Sequence, residues 1–220
     1  MEEHLKILRK LGIALVIFGL LDIGMMIYCI KNEINYSSSF NIFAVIAGIF
    51  LLRGGLKTAG YVAFFSAFML TAFAGLLVIF PFMEPLALRL ITLQLYPIFT
   101  VSTYLLMPIL IGFVYWIYRT STSEPVLVAR EVAGLSDKKP KLAFILGGLL
   151  VAVLSPIMYS LNYGKNAEIA KSKAAELYGQ EYSYHVTSMS FSGGHSFVRL
   201  KAYKEGEIKV VKVSWDGSGK

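Results

Sequence analysis

The chain has a single cysteine, Cys29, so no intramolecular disulfide can form and no cysteine-based zinc site can be assembled. The preceding Met26, Ile27 and Tyr28 lack the small residues of a lipoprotein cleavage box, and a buried apolar role is expected for the thiol. Histidine is scarce as well: His4 lies in a basic tail, and His185 and His195 flank one turn without metal-ligand spacing. Both strand histidines are expected to be solvated, and neither metal nor cofactor is expected. No G-x-S-x-G, H-E-x-x-H or phosphate-binding loop occurs. An intramembrane aspartyl protease needs two aspartates within apolar segments, and only Asp22 is there; a rhomboid-like serine site needs a histidine there, and none exists. The chain therefore reads as a non-enzyme.

Charge is also in short supply. Charged residues make up 16% of the chain, against about 25% in soluble domains. They are sparse before Arg119 and dense after Asn166, which divides the chain into an apolar region, 1–163, and a polar one, 164–220.

What fills the first region is apolar sequence: 56% of all residues are hydrophobic, with a mean hydropathy of +0.62. Runs at 11–30, 36–52, 59–80, 98–118 and 142–159 predict about five transmembrane helices, since crossing a core of about 30 Å takes roughly 20 residues. The second run is the shortest. The first follows a basic tail but is too long for a signal-peptide core and has no cleavage site after it, so it reads as an uncleaved anchor.

Lys6, Arg9, Lys10, Arg53, Lys57, Arg119, Arg130, Lys138, Lys139 and Lys141 fall in alternate connections, and only Lys31 and Arg89 in the others. This bias predicts a cytoplasmic N-terminus and a C-terminal domain on the periplasmic or extracellular side of a cell membrane. Tyr115, Trp116 and Tyr118 beside Arg119 supply an interfacial aromatic belt. The net charge of +7 and pI near 9.4 are assigned to these helix ends and to anionic lipid, not to nucleic acid.

Between Pro85 and Pro97, Arg89, Thr92 and Tyr96 share a narrow polar face beside Leu86, Leu90 and Leu93, which predicts an amphipathic interfacial helix. In the third run Ala63, Ala67, Thr71 and Gly75 recur every fourth residue. Such a ridge lets helices approach closely in lipid, with Ala44, Gly48, Gly148 and Ala152 as candidate facing surfaces. Asp22 is the residue out of place, since a carboxylate mid-helix costs about 2.5–3.5 kcal/mol on insertion scales. It reads as a packing carboxyl hydrogen-bonded to Ser66 or Thr71, or alternatively as an ion or proton site. Asn35-Tyr36-Ser37 is a glycosylation acceptor too close to the second run to be used.

From residue 164 onward the pattern predicts a small α+β domain. Asn166 can cap a helix ending at Gly179 in left-handed conformation, with Ile169, Ala170, Ala174 and Leu177 on its apolar side. Strands follow at 182–191, 196–203 and 207–215, separated by Ser192-Gly193-Gly194 and Lys204-Glu205-Gly206. Val198, Leu200 and Ala202 should face inward with Val211, Val213 and Trp215, and a hairpin centred on Gly193-Gly194 puts His185 opposite Ala202. A domain this small buries little core alone, so it should lean on the membrane region, a second copy or a protein partner. The layout is similar to that of membrane-anchored respiratory-chain assembly factors, a likeness of plan that carries no residue across. A scaffold or assembly factor is the expected function, and a small transporter or channel component using Asp22 the alternative.

Overall fold

The computed structural model describes residues 2–32 and 41–216; the Asn35-Tyr36-Ser37 acceptor and the start of the second predicted span lie outside them. The fold is 73% helical, with a three-stranded antiparallel sheet at its C-terminal end. Its elements are α1 (Glu2–Lys31), α2 (Asn41–Leu52), α3 (Leu56–Met83), α4 (Leu86–Leu95), α5 (Pro97–Ser121), α6 (Glu124–Val132), α7 (Lys141–Tyr163), α8 (Lys165–Tyr178), β1 (Ser183–Ser192), β2 (His195–Lys204) and β3 (Glu207–Asp216). Among the described residues four helices, α1, α3, α5 and α7, are long and apolar enough to cross a membrane. The second predicted span is represented by α2, whose 12 residues reach about 18 Å. Two compact units divide the chain, one of Met1–Thr71 with Leu110–Gly147, the other of Ala72–Ile109 with Gly148–Lys220.

In the first unit α1 and α2 lie antiparallel and nearly touch. A Cβ added to Gly12 would sit 2.7 Å from the Gly48 carbonyl oxygen, and one added to Gly48 would sit 2.7 Å from both the Gly12 oxygen and Val16 Cγ2. No side chain fits between backbones this close, so glycine at both positions is a packing requirement. Gly48, one of the candidate faces for the α3 ridge, is used against α1 instead. Further along, Leu5 packs at Gly54, where α2 ends. Gly54 takes φ 79°; its N–H donates to Leu51 O and that of Gly55 to Phe50 O, the paired bonds of a Schellman turn. This closes the α2–α3 hairpin in three residues.

Leu8, Leu11, Leu15, Leu51, Ala59, Ile117 and Val126 form the core of this unit. Val126 comes from α6, a helix within the connection that the apolar runs leave unassigned. Its signals are local and present: Ser123 at the N-cap, Glu124 and Pro125 in the first turn, and Gly134 (φ 71°) closing a second Schellman turn through Gly134 N–H to Glu131 O and Leu135 N–H to Arg130 O. Arg130 then extends over Gly60 of α3, where a Cβ would lie 2.7 Å from Nη2.

The small-residue positions of α3 differ in exposure. Ala63 and Ala67 are buried, while Thr71 and Gly75 are half-buried. In the second unit Gly75 meets Val151 of α7, whose Cγ2 would be 2.8 Å from an added Cβ. Pro81 and Pro85 jointly shape the end of α3. Proline has no N–H, so Pro85 cannot donate to the carbonyl of Pro81 four residues earlier. The Arg89 guanidinium takes that carbonyl instead, through Nη2.

The C-terminal part of the second unit is an α-β-β-β meander in the order β1-β2-β3. Ala167, Ala170 and Ala174 of α8 pack on Val186, Val198, Leu200, Ala202, Val211 and Val213, with Trp215 partly buried beside them. Three details of the helix differ from expectation. Gly164 rather than Asn166 is the N-cap, and Leu177 is 67% exposed; alanines alone fit the close approach of helix to sheet. Gly179 ends the helix with φ 104° but ψ 147°, an extended mirror conformation instead of the left-handed helical one.

Replacing Gly12 or Gly48 with leucine is expected to cost about 1–3 kcal/mol, the range for overpacking, and to lower the melting temperature in detergent. Gly24→Ala and Gly112→Ala, which meet nothing within 4 Å, should leave it unchanged. Equal losses at all four sites would show that the α1–α2 approach carries no special weight.

Candidate functional site

The meander sheet has two faces of different chemistry. Its register pairs Phe191 with Ser196 as the hairpin predicts, but β1 carries a bulge between Val186 and Ser188. Thr187 is the extra residue, and its hydroxyl donates to Arg199 O at 2.9 Å. The bulge lets Val186 and Met189, three residues apart, both face α8. It also moves His185 from the predicted position opposite Ala202 to one opposite Lys201.

That shift puts His185 on the face turned away from α8, in rows that read Ser183–Tyr203–Ile208, His185–Lys201–Val210, Ser188–Arg199–Lys212, Ser190–Phe197–Ser214 and Ser192–His195–Asp216. One end of this face is covered. Lys201 pairs with Glu84 at 2.8 Å, and α4 packs against β2 and β3. His185 and Tyr203 are buried there, 5% and 8% exposed. His185 thus departs from the solvated role expected of it, because the bulge and Glu84 enclose it. Burial holds its imidazole below the ordinary pKa, helped by Lys201 and Lys171 and opposed by Glu84. Burial likewise pushes the Tyr203 phenol up.

Beside this cluster Asn162 of α7 is buried, with Nδ2 donating to Met83 O and Met158 O at 3.4 and 3.3 Å. Lys171 of α8 donates to Asn162 O at 2.8 Å and lies over the Tyr163 ring. Asn162 Oδ1 is buried without a partner among the described residues. The N-terminal end of α8 is thereby tied to the last turn of α7, and Glu84 ties the sheet to the chain following α3. No sequence signal pointed to Glu84, Asn162 or Lys171, because the residues are joined only by the fold.

The other end of the same face is open. Ser188, Ser190, Phe197, Arg199, Lys212 and Ser214 line a shallow groove of about 270 Å³. Phe197 is 49% exposed at its centre. Beyond it His195 pairs with Asp216 at 2.7 Å, both exposed. At the opposite hairpin Tyr182, Glu207, Lys204, Lys209 and Glu181 make a charged corner, where Lys209 and Tyr182 hold the Glu207 carboxyl down at about 2.

The residues singled out in the first region lie elsewhere. Asp22 is half-buried in α1. Ser66 donates to Val62 O and Ala63 O, and Thr71 to Ala67 O. Cys29 is buried. Among the described residues no group of three or more histidine, cysteine, aspartate or glutamate side chains could hold a metal ion. No protein family, curated protein or solved structure matches the chain.

Since burial lowers the His185 pKa in the fold, the unfolded chain takes up a proton more readily than the fold as pH drops below about 6.5. Stability should therefore fall as pH goes from about 7 to 5, with Glu84, Lys171 and Lys201 as the charges around the ring, and be flat above that. His185→Gln should remove this slope in thermal unfolding; an unchanged slope would assign it to another group.

Proposed function

We propose that the chain is a multi-pass membrane protein whose exported C-terminal α+β module docks another protein, as a non-enzymatic scaffold or assembly factor. The observation that carries the docking role is the division of one sheet face into a covered half, seated on Glu84 and α4, and an open half around Phe197. A face with both a seat and a free surface suits a module that is held in place while it binds. The outer edges of β1 and β3, neither paired with another strand among the described residues, add backbone donors and acceptors for a partner.

Membrane residence is supported by α1, α3, α5 and α7 and by what they expose. Ile13, Leu21, Ile109 and Ile145 are each more than half exposed, a surface suited to lipid. The basic connections support a cytoplasmic N-terminus. Because α2 runs antiparallel to α1, it supports a return of the chain toward the N-terminal side, as five crossings require. Leu86, Leu90 and Leu93 on the exposed side of α4 suit a helix lying in the outer interface.

In a Cys29→Ser background, Ser214→Cys should react with an impermeant thiol reagent in intact cells and Lys138→Cys only after the membrane is opened. The reverse pattern would overturn the topology.

A second reading, a transporter or channel component, is favoured by Asp22 alone, the acidic residue in the middle of α1. Asp22→Asn keeps hydrogen-bonding capacity but cannot titrate. If Asp22 serves packing, that variant should match wild-type stability in detergent, and neither should dissipate a pH gradient in proteoliposomes. Wild-type flux that vanishes in Asp22→Asn would make transport the function.

A further inference from the structure

We infer that the open half of the sheet face binds an extended acidic segment of a partner protein, with Arg199 and Lys212 as its charge readers. This rests on the docking role proposed above and adds the chemistry of the partner.

Arg199 and Lys212 are direct cross-strand neighbours. Like charges opposite one another destabilise a sheet unless something neutralises them. The acidic groups that form ion pairs at the sheet are engaged elsewhere: Glu84 with Lys201, Asp216 with His195, Glu207 with Lys204 and Lys209, and Glu181 with Lys204. Among the described residues neither Arg199 nor Lys212 has an ion pair. Two adjacent cations are thus retained at a cost on the one part of this face that is open.

Their surroundings suit a peptide. Ser188 continues the charged row, and Ser190 and Ser214 flank Phe197 in the next, giving hydroxyl donors beside an exposed ring. Arginine matches a carboxylate with two parallel bonds, and the small serines leave room for a backbone to approach. A second copy of the chain is disfavoured as occupant, because a two-fold contact would set one Arg199–Lys212 pair against another. A lipid surface is disfavoured too: the groove is lined by serines and two cations around a single exposed ring.

The test uses the full chain in neutral phosphatidylcholine nanodiscs. The probes are a fluorescent peptide of roughly ten residues, strand length, alternating glutamate and serine, and its glutamine counterpart. The acidic peptide should bind, weaken with salt, and lose about tenfold or more in affinity in an Arg199→Glu, Lys212→Glu double variant. The glutamine peptide should not bind, and Lys165→Glu, on α8, should change nothing. Equal binding of the two peptides, or no loss on charge reversal, would overturn the inference. So would capture of phosphatidylglycerol vesicles without peptide binding, which would assign the groove to lipid. Proteins co-purified from native membranes separate the two levels. Recovery with wild type and double variant alike keeps the docking role and removes the acidic segment; recovery with neither removes the docking role.

Discussion

The first unit depends on how closely α1 and α2 approach at Gly12 and Gly48. In the proposed membrane setting, helices would gain nothing from hiding hydrophobic surface from one another, and association would rest on dispersion and close backbone contact. Two glycines in register supply that contact. They hold a helix of three turns against one of eight, and the Schellman turn at Gly54 then launches α3 in a set direction. The leucines of α1 and α2 that surround the crossing are fully buried as a consequence, Leu8, Leu11 and Leu51 among them.

Backbone groups left unmade by proline shape the second unit in a similar way. The spacing of Pro81 and Pro85 strands a carbonyl, and Arg89 settles on it. That recruitment anchors α4 to the end of α3, and the intervening Glu84 is thereby placed where Lys201 can meet it. The sheet is seated by a chain of local necessities.

What could be read from the chain follows from the range of the forces involved. Apolar runs and turn chemistry are local, so the long helices, the break at Pro85 and the three strands were legible within a few residues of their ends. The register at Phe191 and Ser196 followed from the glycine turn. The bulge at Thr187 was not legible, because it is set by the need of both Val186 and Met189 to reach the core, and with it went the position and burial of His185. The helix α6 lies inside a basic connection, and its only local signals are the short capping run Ser123, Glu124 and Pro125 and the glycine at 134. The four-residue spacing of Ala63, Ala67, Thr71 and Gly75 was plain, but not the helix that Gly48 chooses. Neither Glu84 nor Asn162 could have been found beside His185 from sequence, being 101 and 23 positions away.

Gly164 joins α7 to α8 by a single extended residue, and an added Cβ there would collide with Ser160 O. A joint of one residue has no slack. In the proposed membrane setting the module cannot fish for partners at a distance as a tethered domain does; its working volume is a thin layer at the bilayer surface. Anything it binds must come to that layer, and a pull on the bound module would pass to α7 through that one residue.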